Sequence, residues 1–253
     1  MRLKDKIAIV TGASSGIGKA IAIGFAKEGA NVTVCYYGHP ENAREVVKEI
    51  RKNGSDGIIC KVDISKKEEI EKMVEKTFTT FGRIDILVNN AGARDQAPIM
   101  EVTPELWQHA VNSNLGGTFW AIKAATAIMV KQGNGKIINI ASIQGCRPCN
   151  DLRTAYCSTK RGVLAMTRAA AVELGPSNIC VNAISPGTVA TNMGGMKELF
   201  TTSIIEERCR YIPLGYRGMP EELIGPAVFL ASEESRYITG TNLIVDGGWC
   251  AAD

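Results

Sequence analysis

The sequence predicts one α/β domain: a doubly wound parallel sheet of about seven strands, with helices on both faces. Three observations carry this. A short continuous apolar run, Ile7–Val10, marks a strand buried on both faces. Strand-like runs alternate with helical patterns at βαβ spacing. The first run enters a helix through a glycine-rich turn, the arrangement that lets a backbone approach an anion at a helix start.

Taken in order, Ile7–Val10 is the first strand. It leads through Thr11-Gly12-Ala13-Ser14-Ser15-Gly16-Ile17-Gly18 into a helix with apolar positions at Ala20, Ile21 and Phe25. The spacing is G-x3-G-x-G, and its place after a buried strand points to a dinucleotide pyrophosphate. Asn31–Cys35 is a second strand, ending in Tyr36-Tyr37-Gly38-His39 with no carboxylate before Glu41. A carboxylate there would bind an adenosine ribose and repel a 2′-phosphate, so its lack favours NADP or dual use over strict NAD. Glu41–Lys52 is helical and Gly57–Val62 is a strand closed by Asp63-Ile64. Ser65–Phe81 is a helix with Ser65 and Glu68 in capping-box spacing. Ile84–Val88 is a strand running into Asn89-Asn90-Ala91-Gly92.

Thr103-Pro104 starts a helix expected to reach about Val130. Asn114, Gly116 and Gly117 fall inside it. They predict either a loosened helix with close packing or a kink that frees a carbonyl for a water. Lys136–Ala141 is a strand closed by Ser142, and Thr154–Glu173 is a helix. Cys180–Ile184 is a strand followed by Ser185-Pro186-Gly187-Thr188. Residues 188 to 217 have mixed periodicity and read as a substrate lid over the strand ends. Glu221–Ala231 is a last helix and Asn242–Val245 a last strand, before Asp246-Gly247-Gly248. In a parallel sheet ligands bind beyond the carboxyl ends of the strands. Gly12–Gly18, Tyr36, Asp63 and Asn89–Gly92 all fall there.

The composition fits a soluble globular chain: 253 residues, 45% apolar and 22% charged. With 29 basic and 26 acidic residues and no basic run, nothing favours nucleic acid or a membrane surface as partner. No apolar run reaches a membrane-spanning length, and Met1–Lys6 has no apolar leader, so a cytoplasmic protein is expected. The eight cysteines are then expected as thiols, with Cys35, Cys60 and Cys180 in the core. Cys146-Arg147-Pro148-Cys149 is a lone C-x2-C with two histidines in the whole chain, and no metal site is expected from it.

Tyr156 and Lys160 stand one helical turn apart on one face. An ammonium beside a phenol favours its ionised form, so the pair can be a tuned acid/base. It can equally be a buried ring beside a solvated amine. Arg94, Arg147 and Arg153 lie in segments expected around the cleft, with Gln144. They suggest a polyhydroxylated substrate with an anionic group, unless two of them face solvent or pair with Asp95 and Asp151.

Together these motifs resemble the short-chain dehydrogenase/reductases, a Rossmann-type family, over essentially the whole chain. The resemblance implies an NAD(P)-dependent oxidoreductase interconverting an alcohol and a ketone, or a sugar hemiacetal and a lactone. It implies Tyr156 as acid/base, Ser142 on the substrate oxygen, and Lys160 on the nicotinamide ribose while lowering the pKa of Tyr156. Asn114 would hold a water linking Lys160 to solvent. The implied cofactor residues are Gly12, Ser14, Ser15, Gly16, Ile17 and Gly18 at the pyrophosphate, with Tyr36 and Tyr37 at the end of the second strand. Asp63 and Ile64 fall at the adenine, and Asn90, Ala91 and Gly92 at the adenosine side. Tyr156, Lys160, Pro186, Gly187, Val189 and Thr191 meet the nicotinamide end. Arg94, Ser142, Gln144, Arg153 and Tyr156 are then the candidate substrate contacts. A homotetramer is implied.

Within the family, the Tyr-containing strand end, Ile212-Pro213-Leu214-Gly215 and Tyr237-Ile238-Thr239-Gly240 resemble sugar dehydrogenases of the glucose 1-dehydrogenase kind. The last two features are shared with 3-oxoacyl-carrier-protein reductases. Those usually carry a basic residue in the glycine turn where Ser15 stands here. A non-catalytic cofactor-binding protein on the same fold is the remaining alternative.

Overall fold

Every strand of the sheet is short, and Ile7–Val10, Ile86–Asn89 and Ile179–Pro186 are buried along their full length. The computed structural model describes residues 1–147, 152–191 and 209–252. The strands are β1 (Ile7–Val10), β2 (Asn31–Tyr36), β3 (Gly57–Lys61), β4 (Ile86–Asn89), β5 (Gly135–Ile140), β6 (Ile179–Pro186) and β7 (Asn242–Val245). All pair in parallel, in the order β3-β2-β1-β4-β5-β6-β7. This is the seven-stranded doubly wound sheet the sequence predicts. The direction of winding reverses between β1 and β4, which opens a crevice at their carboxyl ends.

The helices are α1 (Gly16–Lys27), α2 (Pro40–Lys52), α3 (Lys67–Phe81), α4 (Pro104–Ala110), α5 (Gly117–Gln132), α6 (Thr154–Leu174) and α7 (Ile224–Ala231). Strand residues alternate between faces, and so do their partners. Ala8, Val10, Val32, Val34 and Ile138 join one core with Phe25 of α1, Val46 and Ile50 of α2, and Ala227 of α7. Ile9, Cys35, Leu87 and Ile137 join the other with Ile70 and Met73 of α3, Ala125 and Met129 of α5, and Ala171 of α6. Cys35, Cys60 and Cys180 are buried thiols, as expected.

Two local expectations are corrected. Ser65 does not cap α3: its amide and hydroxyl both donate to Asp63 Oδ1, at 3.0 and 2.7 Å, and the helix begins at Lys67. The preceding carboxylate captures the serine before the helix can use it. The helix starting at Pro104, which Thr103 caps through the Leu106 amide, runs on to Gln132 and loosens in its middle, as expected. A π-helical stretch, Val111–Gly116, separates α4 from α5. The final long helix is shorter than expected, because Pro220–Leu223 winds as a 3₁₀ turn ahead of α7. Of the expected lid, residues 192–208 lie outside the described residues. The described ends are fastened together: Ala190 donates to the Gly218 carbonyl at 2.8 Å, and Gly218 to the Thr188 carbonyl at 3.0 Å. Cys149 and Asp151 also lie outside the described residues.

Candidate active site

The glycine turn is held in place by the strand ends around it. Thr11 Oγ1 accepts from the Asn90 and Ala91 amides at 2.9 and 3.0 Å, and Asn90 Nδ2 donates to the Thr11 and Gly12 carbonyls at 2.9 and 3.2 Å. The Ala13 amide donates to the Cys35 carbonyl at 2.8 Å, which ties the turn to β2. Gly18 has no room for a side chain: a Cβ there would run into the Gly12 carbonyl oxygen and Asn90 Nδ2. Ser15 stands at the N-cap of α1 but its hydroxyl makes no capping bond. The first amides of α1 therefore have no side-chain cap and point beyond the turn. A Cβ on Gly16 would lie 3.2 Å from Thr191 Cγ2, so the Val189–Thr191 segment passes over the turn. Gly187 is equally confined, its Cβ position 2.8 Å from Asp246 Cα.

At the neighbouring strand ends, Tyr36 is half-buried against the first core while Tyr37 is 67% exposed. Burial pushes the Asp63 carboxyl up, but the Ser65 hydroxyl and amide and Lys66 outweigh it, and its pKa ends below the ordinary value. Ile64 packs into the second core, and its carbonyl oxygen would lie 2.5 Å from a Cβ on Gly117. That approach explains why α5 opens on glycine.

Ser142, Tyr156, Lys160 and Asn114 come together beside this turn, all buried. The Ser142 hydroxyl acts on Tyr156 and opposes the rise of its pKa, and Ser142 Oγ accepts from the Gln144 amide at 3.1 Å. Lys160 Nζ lies 5.8 Å from the Tyr156 ring centroid and donates to the Ile140 carbonyl at 2.7 Å. Helix α6 is pinned to the sheet by a buried polar line. Asn89 Nδ2 donates to Asn139 Oδ1, and Asn139 Nδ2 to Thr167 Oγ1, each at 2.9 Å. Burial lowers the Lys160 pKa to about 8. Burial also raises that of Tyr156, opposed by the Ser142 hydroxyl and by the charges of Arg94 and Arg153. The Lys160 ammonium stands over the Tyr156 ring and is bound to a carbonyl. The Asn114 carbonyl, expected to be free for a water, accepts from the Thr118 hydroxyl at 2.7 Å; one lone pair remains.

The arginines divide. Arg153 is 4% exposed and donates to Gln96 Oε1 at 3.3 Å. Arg147 lies over the Trp249 ring, 4.9 Å from its centroid. Asp95 takes His109, at 2.9 Å. Thr159 is a contributor the sequence reading missed. Its hydroxyl accepts from Asn114 Nδ2 at 3.1 Å and donates to the Tyr156 carbonyl at 2.8 Å. Its position inside Tyr156–Lys160 was the available signal. Among the described residues, no helix is long and apolar enough to cross a membrane.

The residues fit a dinucleotide. The uncapped amides of α1 suit an anionic pyrophosphate, and Gly18 keeps the floor of the turn flat. When bound, the nicotinamide supplies hydride chemistry. The chain offers a buried phenol, Tyr156, and a buried hydroxyl, Ser142, beside the turn.

A family model described as enoyl-(acyl carrier protein) reductase matches residues 12–250. The chain is 40% identical over 253 residues to a 3-oxoacyl-acyl-carrier-protein reductase of Thermotoga maritima, covering 98% of this chain and 99% of that one. It is 37% identical over 243 residues to the enzyme of that name from Staphylococcus aureus, covering 96% and 97%. Among solved structures, a 7α-hydroxysteroid dehydrogenase complexed with NADH and 7-oxo glycochenodeoxycholic acid aligns at TM-score 0.93 and 34% identity, over 98% and 95% of the two chains.

Proposed function

The chain belongs to the short-chain dehydrogenase/reductase family, an NAD(P)-dependent oxidoreductase family, and from that premise we propose the following for its own site. Tyr156 gives a proton to a carbonyl oxygen in reduction and takes it back in oxidation. Ser142 orients that oxygen by hydrogen bonding, and Lys160 holds the nicotinamide ribose. Asn114 keeps the Ala93 loop and α6 in register beneath them. The supporting observation is the buried pairing of the Ser142 hydroxyl with Tyr156 beside an uncapped helix start.

The substrate is a polar secondary alcohol or its ketone carrying an anionic group, with a sugar acid as the leading class. Buried Arg153 and half-buried Arg94, both acting on Tyr156, support this reading. A second reading, reduction of a 3-oxoacyl thioester, is favoured by the names of the two curated relatives. NADP or both cofactors are accepted, since Tyr36-Tyr37 offers no carboxylate to the ribose. A cytoplasmic homotetramer remains the expected setting.

The test is reduced-nicotinamide absorbance with NAD(H) and NADP(H) in parallel, against sugar acids, neutral sugars, a 3-oxoacyl thioester and an oxo-steroid. Turnover confined to the thioester selects the second reading. Turnover confined to the steroid removes both.

A further inference from the structure

The carboxyl ends of the strands carry the dinucleotide turn, and their amino ends carry a separate cavity. We propose that this cavity is a binding site for a small tetrahedral oxyanion of the phosphate class, held by Lys136 and Arg236.

The cavity, about 40 Å³, lies where β4, β5 and β6 begin. That volume has room for roughly three water molecules, and so for an ion of this class. Three cations line it, Lys6, Lys136 and Arg236, against two carboxylates, Asp85 and Glu233. Both carboxylates are engaged by other groups. Asp85 is buried: its Oδ2 accepts from the Ile7 amide and from Arg83 Nε, each at 2.9 Å, and its Oδ1 from Arg83 Nη2 at 2.6 Å. Glu233 pairs with Lys6 at 3.6 Å.

Two positive charges are left on the wall. Lys136 is half-buried at the start of β5, and its Nζ makes two long contacts, with Cys180 Sγ at 3.5 Å and Ser235 Oγ at 3.4 Å. Among the described residues, no carboxylate pairs with Lys136 or Arg236. A half-buried ammonium without a counter-charge has lost hydration that an anion would replace. Lysine brings a point charge from β5, and arginine a fork of donors from the turn after α7. An ion with acceptors in several directions can engage both, whereas a planar carboxylate would match the fork alone. Asn178, also on the wall, gives one carboxamide hydrogen to the Gly133 carbonyl at 3.1 Å and keeps a second. The length of β5, roughly 20 Å at the strand rise over the six residues from Lys136 to Ser142, separates this site from the catalytic one.

The test uses inorganic phosphate on the enzyme saturated with NADH or NADPH, which fills the glycine turn and removes it as a phosphate site. Ionic strength is held constant with sodium chloride. The thermal midpoint should rise saturably with phosphate, by about 3–6 °C at roughly ten times the dissociation constant. Lys136→Met and Arg236→Gln should each weaken phosphate binding by about tenfold or more. A wild-type midpoint that follows chloride alone overturns the proposal, and so does a folded variant that responds to phosphate as the wild type does. Should Lys136→Met fail to fold, Arg236→Gln decides alone, since that side chain is exposed.

Discussion

Asn114 grips Ala93 with both ends of its carboxamide. Its Oδ1 accepts from the Ala93 amide at 2.8 Å, and its Nδ2 donates to the Ala93 carbonyl at 2.9 Å. The same Nδ2 reaches Thr159 on α6, so one side chain spans the β4 loop and the helix of Tyr156. A π-helical stretch places it there, and Gly92 leaves room, since a Cβ at that position would lie 2.5 Å from Asn114 Oδ1. Asn114→Ala removes partners from part-buried backbone groups, each worth about 1–3 kcal/mol. Its urea midpoint should fall, with turnover down at least tenfold. Asn114→Asp should fare no better, because a carboxylate oxygen would face the Ala93 carbonyl. Wild-type midpoints in both variants would contradict this.

Tyr156→Phe keeps the ring and removes the proton. Turnover should drop by about 10²–10⁴, the range for a positioned acid/base. Cofactor affinity, read by quenching of protein fluorescence, should change little. Because burial holds the phenol protonated at neutral pH, wild-type reduction should run undiminished through pH 7 and fade on the alkaline side, while oxidation gains as pH rises. A reduction rate that climbs with pH would contradict the assignment.

The first strand was legible because burial on both faces leaves its mark in every residue: Ile7–Val10 carries the bounds read from the sequence, as does the edge strand Asn242–Val245, bracketed by Gly240 and Gly247. The Tyr156–Lys160 register was legible because helix periodicity alone sets it. What stayed hidden depends on which partner wins a side chain, near or far. Asp63 seized Ser65 before α3 could, and Lys160 turned to Ile140, twenty residues away. The burial of Arg153 follows from a loop that starts at Ala93.

Glycines in this chain should respond in opposite directions to alanine. Gly18→Ala drives a methyl into the Gly12 carbonyl and Asn90 Nδ2, so the turn must open and cofactor affinity should fall tenfold or more. Gly225→Ala sits in α7, and apart from its chain neighbours and its own helix backbone nothing lies within 4 Å of the new Cβ. It should stabilise by about 0.4–1 kcal/mol, through loss of unfolded-chain freedom. Paired thermal melts and cofactor titrations read both; two equally destabilised variants would refute the contrast.

Lys160 should make stability depend on pH in a direction unusual for a lysine. Its pKa falls from 10.5 to about 8 on burial. Below pH 8 both states are protonated, and the folded state bears a buried charge. Between about 8 and 10.5 the unfolded chain holds a proton that the folded one has released, so stability rises with pH across that window. The gap corresponds to at most about 3 kcal/mol. Lys160→Met carries no such cost, though it forfeits the bond to the Ile140 carbonyl and should be inactive. The stability difference, Lys160→Met minus wild type, should therefore be most favourable to the variant near pH 7 and shrink steadily towards pH 10. Urea midpoints of the cofactor-free proteins at pH 7 and 9.5 measure it. A difference that is the same at both values would mean that the ammonium is solvated in the folded state.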